Sequence, residues 1–259
     1  MKNNFAVLIG SAALCLGSQA ALAQPNHVNI MPFGDSVTSR GAAPESSYRY
    51  WLWTKLQDAG YNNFDFIGQQ NGVEGGSPAN DWPDEEYEGG DGLTSADALY
   101  LAPAAATFQG PDGGTADIVL LDFGSNDISP AGIPLDQTMN NLQQVIQTFA
   151  DQNPNIIVLI AKPTPFAPDP SSPPDQQKMQ KKEQSQLAGM IGKLAKTERK
   201  AGIDVIAVDQ FGGFSVKKDT DDGSHPNVIG EQKIASKYFA QLKKIFKKEQ
   251  KQAARAARG

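Results

Sequence analysis

Asp117-Ile118-Val119-Leu120-Leu121-Asp122-Phe123 holds the reading on which the fold turns. A strand with one face in water alternates apolar and polar residues. Ile118 to Leu121 does not alternate, so it reads as a strand buried on both faces, as a parallel sheet flanked by helices requires. Four other short apolar runs share that character: Val28 to Phe33, Phe64 to Ile67, Ile156 to Ala161 and Ile203 to Val208. Helical patterns separate them. Tyr48 to Ala59 is followed by Gly60 as a C-cap; Leu135, Met139, Leu142, Val145, Ile146 and Phe149 keep helical spacing; Gln176 to Lys200 and the stripe Ile234, Tyr238, Leu242, Ile245 complete the set. The alternation predicts one α/β domain in three layers, with a five-stranded parallel sheet and helices on both faces. Gln69 to Gly92 is a long irregular segment of the kind that builds sites, and proline-dense Pro163 to Pro174 reads as a surface loop.

The chain begins with Lys2, an apolar stretch from Phe5 to Gly17 and the small residues around Ala21-Leu22-Ala23. That is the pattern of a secretory signal peptide over 1–23, with cleavage expected after Ala23 and an exported, secreted or periplasmic, product. Cys15 is the sole cysteine and lies inside the leader, so the mature domain, 24–248, has no disulfide, thiolate nucleophile or cysteine metal site. The net charge is −6, yet from Lys237 onward eight Lys or Arg face only Glu249. An acidic body with a basic end argues against a nucleic-acid groove on the domain. Residues 249–259 read as a basic tail with a frayed end.

Near the end of the domain stands Asp222-Gly223-Ser224-His225, containing one of only two histidines in the chain. A carboxylate three residues before an imidazole in a Gly-containing loop can fold back and fix its tautomer. A surface turn is the plain alternative. Gly34-Asp35-Ser36, directly after the first strand, supplies a candidate nucleophile, and Gly124-Ser125-Asn126-Asp127 directly follows the third strand. All of them fall at the carboxyl ends of strands, where open α/β sheets bind ligands.

Gly34-Asp35-Ser36, Gly90-Asp91-Gly92-Leu93-Thr94, Gly124-Ser125-Asn126-Asp127 and Asp222-Gly223-Ser224-His225-Pro226-Asn227 resemble, in order, the four sequence blocks of the SGNH (GDSL) hydrolases. No Gly-x-Ser-x-Gly, the nucleophile elbow of α/β-hydrolases, occurs. The resemblance implies a flavodoxin-like SGNH fold and a serine ester hydrolase. It implies Ser36 as nucleophile, His225 as general base and Asp222 as its orienting acid, with Asp221 the rival acid. It also implies an oxyanion hole from the N–H groups of Ser36 and Gly92 and the Asn126 amide, Gly89 or Gly90 being the competing register for Gly92. Asp35 is expected to tie down its turn.

The stretches Ile30 to Thr38, Tyr48 to Leu52, Phe64 to Gly68 and Tyr87 to Gly92 further resemble the secreted carbohydrate-esterase branch, the acetylxylan esterase-like enzymes. Leu93 and Glu231 depart from that branch, which has aromatic residues there; Trp82 or Tyr87 could supply the sugar-stacking ring that Leu93 does not. Polar loops around the motifs favour a small acyl group on a polysaccharide such as acetylated xylan. A lipid-acyl or broad short-chain ester hydrolase is the alternative, and a non-catalytic carbohydrate-binding protein on the same scaffold is a further one. No cofactor is expected. The acidic residues Asp81, Asp84, Glu85, Glu86, Glu88 and Asp91 lack a Ca²⁺-ligand spacing, so no metal is expected either. Trp51 and Trp53 read as packing residues. A monomer is expected, with an ester substrate as partner, no nucleic acid and no stable membrane anchor.

Overall fold

The computed structural model describes residues 27–42, 47–74 and 83–256. The signal-peptide segment, Asp81, Trp82 and the last three residues lie outside them. β1 (Val28–Gly34), β2 (Phe64–Phe66), β4 (Ile118–Asp122), β5 (Ile157–Lys162) and β6 (Asp204–Asp209) form a parallel sheet in the order β2-β1-β4-β5-β6. This is the doubly wound arrangement with its switch point between β1 and β4. A sixth strand was not expected. β3 (Glu88–Gly89) pairs with the last two residues of β1, Phe33 with Glu88 and Gly34 with Gly89, beyond the end of β2.

The central runs are buried on both faces for the reason their composition gave. Val119 and Leu121 pack with Met31, Phe33, Val158 and Ile160 against α3 (Ser95–Thr107), α5 (Leu135–Gln152) and α6 (Pro174–Lys200). Ile118 and Leu120 face the other way with Ile30, Leu159 and Val208, under α2 (Tyr48–Asp58) and α8 (Val228–Ala256). Each fully buried Leu or Ile contributes about 2 kcal/mol of transfer free energy. Trp51 and Trp53 pack half-buried against the second of these layers. The edge strand β2 is closed off by Asp84, whose Oδ1 accepts the Phe66 N–H at 2.6 Å. Thr94 and Asp97 form a reciprocal capping box that starts α3.

Residues 249–256, the basic end of the chain, continue α8 as a solvated helical end with largely exposed side chains beyond Phe246. The proline-rich segment before α6 is irregular as expected, but it is tied down. Gln184 accepts the Phe166 N–H (3.1 Å) and donates to its carbonyl (3.2 Å). Ala167 N–H donates to Gly223 O at 2.7 Å, which seats the segment against the loop that carries His225.

Candidate active site

After Gly34 the chain turns through Asp35 into α1 (Ser36–Ser39). Asp35 is its N-cap, with Oδ1 accepting the Val37 N–H at 3.0 Å, and this fixes Ser36 at the first position of the turn. Ser36 Oγ lies 3.1 Å from His225 Nε2, across 189 residues of sequence. His225 Nδ1 lies 2.6 Å from Asp222 Oδ2, and Asp222 Oδ1 accepts the N–H groups of Ser224 (2.8 Å) and His225 (2.7 Å). The ring reaches Asp222 and not Asp221, which binds through its backbone N–H to His225 O at 3.1 Å. Burial alone would raise the Asp222 carboxyl, but the His225 ring and the two N–H donors outweigh it and draw it down to about 2. Asp222 is therefore ionised at any working pH and holds the tautomer in which Nδ1 donates and Nε2 can accept the Ser36 proton. A hydroxyl, an imidazole and a carboxylate in this order form a relay suited to acyl transfer.

The loop bearing both His225 and Asp222 is braced on each side. Thr220 and Pro226 bridge across it, and Asn227 Nδ2 donates to Lys218 O at 3.0 Å. Asn227 Oδ1 accepts the Gly230 N–H at 3.1 Å, capping the start of α8.

The expected oxyanion residues occupy the same edge of the sheet. Asn126 lies on α4 (Ser125–Ile128) after β4, and its Nδ2 donates to Leu93 O at 2.9 Å, joining this turn to the one containing Gly92. An amide nitrogen carries two hydrogens, so one remains for a substrate oxygen. Of the three glycines in competing registers, Gly89 has φ +113° and a Cβ there would fall 1.9 Å from Gly34 O, so it serves the β1–β3 contact. Gly90 N–H donates to Gly34 O at 3.2 Å. Gly92, at φ +73°, has an N–H with no acceptor among the described residues, and the same holds for Ser36 N–H. These are the groups free to receive developing negative charge.

Several residues that hold the site were given no role by the sequence. Asp127, fully buried, accepts the Ser95 N–H (2.9 Å), the Ser95 hydroxyl and the Thr138 hydroxyl (2.8 Å), while Asn141 donates to Ser95 Oγ at 3.0 Å. It thereby locks the turn of Asn126 to the start of α3, which follows Gly92. Arg49 is buried completely: its guanidinium donates to Thr38 O (3.0 Å), Gly72 O (2.6 Å) and Glu85 O and lies 4.2 Å from the Tyr87 ring centre. Glu231, which departs from the aromatic pattern of the carbohydrate-esterase branch, is buried and accepts the Ala42 N–H (2.7 Å) and the Trp51 indole N–H (3.2 Å). Its carboxylate clasps two donors that an aromatic ring could not. The acidic stretch has structural partners of its own, with Glu88 accepting the Gln69 N–H at 3.1 Å and Asp91 paired to Arg40. Among the described residues no group of three or more His, Cys, Asp or Glu side chains is placed to hold a metal ion.

Two buried carboxyls, Asp35 and Asp122, lie at the end of β1 and of β4. Burial pushes Asp35 up to about 7, against the pull of the Val37 N–H and with help from the charges of Asp127 and Asp91. Burial, and then the charge of Asp35, push Asp122 well above the carboxylate range, and its Oδ2 is buried without a hydrogen-bond partner. A carboxyl raised in the folded state holds its proton longer there than in the unfolded chain, so stability falls as pH climbs through this window, from about 4 to about 7. Asp35→Asn keeps the cap acceptor and removes the ionisation. Its melting temperature is expected to decline less than that of the parent over this range in thermal unfolding followed by circular dichroism; parallel declines would rule out Asp35 as the titrating group.

A family model for the GDSL-like lipase/acylhydrolase family matches residues 33–233, from the end of β1 to the start of α8. A multidomain esterase of Ruminococcus flavefaciens is 26% identical over 236 residues, covering 85% of this chain and 29% of that protein, so the chain spans less than a third of that relative's length. Among solved structures, a family 3 carbohydrate esterase from Talaromyces cellulolyticus superposes with a TM-score of 0.69 at 23% identity, over 85% of this chain and 99% of the other. The family 3 carbohydrate esterase of Clostridium thermocellum gives 0.65 at 25% identity, over 83% and 94%. The shared fold places the parallel sheet and its helices in the arrangement described above. Ser36, Gly92, Asn126, Asp222 and His225 all fall within the span that the family model matches. The chain belongs to the GDSL-like lipase/acylhydrolase family.

Proposed function

We propose that this chain is a secreted serine esterase that removes acetyl groups from a polysaccharide such as acetylated xylan. The observation that carries the reading is the continuous relay from Ser36 Oγ through His225 to Asp222, together with N–H groups of Ser36 and Gly92 that have no acceptor among the described residues. In the acylation step Ser36 Oγ attacks the ester carbonyl while His225 Nε2 takes its proton. The N–H groups of Ser36 and Gly92 and the Asn126 amide hold the oxyanion. The tetrahedral intermediate expels the sugar alcohol, which leaves with the proton from His225. Water, deprotonated in turn by His225, then attacks acetyl-Ser36 and releases acetate, restoring the serine. Asp222 stays ionised throughout and orients the ring.

Support for a small acyl group comes from the surface. Among the described residues the exposed large apolar side chains are Tyr100, Met179 and Ile229, one each on α3, α6 and α8. Support for a sugar-bearing alcohol comes from the carbohydrate esterases that share the fold. Export rests on the leader-like residues 1–23. Among the described residues no helix is long and apolar enough to cross a membrane.

Acetate release from acetylated xylan tests the substrate, and a series of aryl esters tests the acyl group. The kcat/KM is expected to fall by about 100-fold or more from acetyl to octanoyl, since the loops that carry the motifs are rich in Gly, Asp, Asn and Ser and give added methylenes little apolar surface. Equal or faster octanoyl turnover would overturn the acetylesterase reading in favour of a lipid-acyl hydrolase.

A further inference from the structure

Where the chain leaves β2, a groove of about 360 Å³ opens between the segment Gly68–Asn71 and the segment Phe108–Pro111, which joins α3 to β4. Its volume lies in the range of small-ligand sites. Gln69, Gln70 and Gln109 are among its lining residues, all three are exposed, and none of their side-chain carboxamides has a hydrogen-bond partner among the described residues. Each offers two N–H donors and one carbonyl acceptor. Asn71 donates to Glu86 at 3.4 Å, and Glu86 is the one charged residue of the lining. Half-buried Phe108 adds an apolar surface, and neither Lys nor Arg is part of the lining.

Paired donors and acceptors around a ring face suit a ligand that carries many hydroxyls on a C–H skeleton. Without a cation, the lining offers no counter-charge for a phosphate, a sulfate or a uronate. The groove also shares its backbone with the candidate active site. Gln70 N–H donates to Tyr87 O (2.9 Å) and Tyr87 N–H to Gln70 O (3.0 Å), and Gln69 N–H donates to Glu88 Oε2 (3.1 Å). From there the chain passes through β3 to Gly92. The segment that lines one flank of the groove is thus hydrogen-bonded to the residues that lead into the turn of Gly92.

We infer that this groove is a second carbohydrate site, distinct from the catalytic residues, which holds neutral sugar rings of the polysaccharide on which the enzyme acts. The inference rests on the proposed function for the identity of the polymer and on the groove alone for its neutrality. Gln69, Gln70 and Gln109 bind hydroxyls, Glu86 accepts from one, and Phe108 takes the C–H face of a ring. Substrate held here keeps a chain at the enzyme between successive deacetylations and lowers KM without touching the chemical step.

The test is calorimetric titration of the Ser36→Ala protein with unacetylated xylohexaose, with and without the added pair Gln69→Ala and Gln109→Ala. Both glutamines are exposed, so the pair is expected to leave the melting temperature unchanged. Loss of two or more hydrogen bonds should weaken xylohexaose binding by about tenfold. With Ser36 present, the same pair should raise KM for acetylated xylan by a similar factor while leaving aryl acetate turnover unchanged. Absence of xylohexaose binding, or binding that the pair does not weaken, would overturn the second site, as would tighter binding of polygalacturonate than of xylohexaose. Xylohexaose binding that depends on the glutamines, in a protein that releases acetate from no substrate, would uphold the groove and refute the esterase.

Discussion

Ser36→Ala is expected to reduce aryl acetate turnover by about 10⁴-fold or more, with the melting temperature unchanged. The magnitude follows from the relay: without the hydroxyl no acyl-enzyme forms, and neither the oxyanion donors nor His225 can replace the nucleophile. The hydroxyl is nearly buried, and its one side-chain hydrogen bond goes to His225, so removing it leaves the fold intact. His225→Ala should fall to a comparable level, and the double variant should be scarcely worse than either, because residues of a relay act as one unit. Measuring kcat for the three variants with a chromogenic acetate, alongside covalent labelling by an organophosphonate, reads both points. Turnover retained in Ser36→Ala would remove the serine from the reaction. Strictly multiplicative losses in the double variant would show that the two side chains act separately.

The largest loss of stability is expected from Arg49→Ala. The side chain is the bulkiest among those fully buried, and burial has already pulled its guanidinium down to about 10. Its removal takes a donor from each of the carbonyls of Thr38, Gly72 and Glu85 and uncovers the Tyr87 ring. Buried groups left without their partners, together with the cavity, amount to about 3–5 kcal/mol, or a fall of about 10 °C in melting temperature. Arg49→Lys should recover little, since an ammonium on a flexible stem cannot span carbonyls from three segments. A fall below about 3 °C for the alanine variant would mean that water replaces these bonds at little cost.

The parts of this molecule that were legible in its sequence share a physical property: they rest on local pattern. A run such as Ile118 to Leu121 declares two buried faces by its lack of alternation, and Asp222 reaches His225 because both lie in one tight loop. What escaped depends on partners distant in sequence. β3 is two residues, Glu88 and Gly89, with no apolar periodicity; it is a strand only because Gly89, lacking a Cβ, can lie against the backbone of Gly34. Arg49 sits on a helix where an arginine ordinarily faces water, and its acceptors include backbone carbonyls up to 36 residues away. Asp127 looked like the end of a motif, but its role is set by Ser95, Thr138 and Asn141 from two other helices. Glu231 looked like a departure from a pattern until Ala42 and Trp51 were placed around it.

The helix α8 begins three residues after His225 and runs 29 residues, a rod of about 43 Å. Its first turn stands at the catalytic edge, and its lysine- and arginine-rich final turns point to the opposite end of the molecule. Adsorption to a negatively charged support would thus be oriented: the protein would attach by its basic end and turn the catalytic edge outward, accessible to polymers too large to diffuse beneath it.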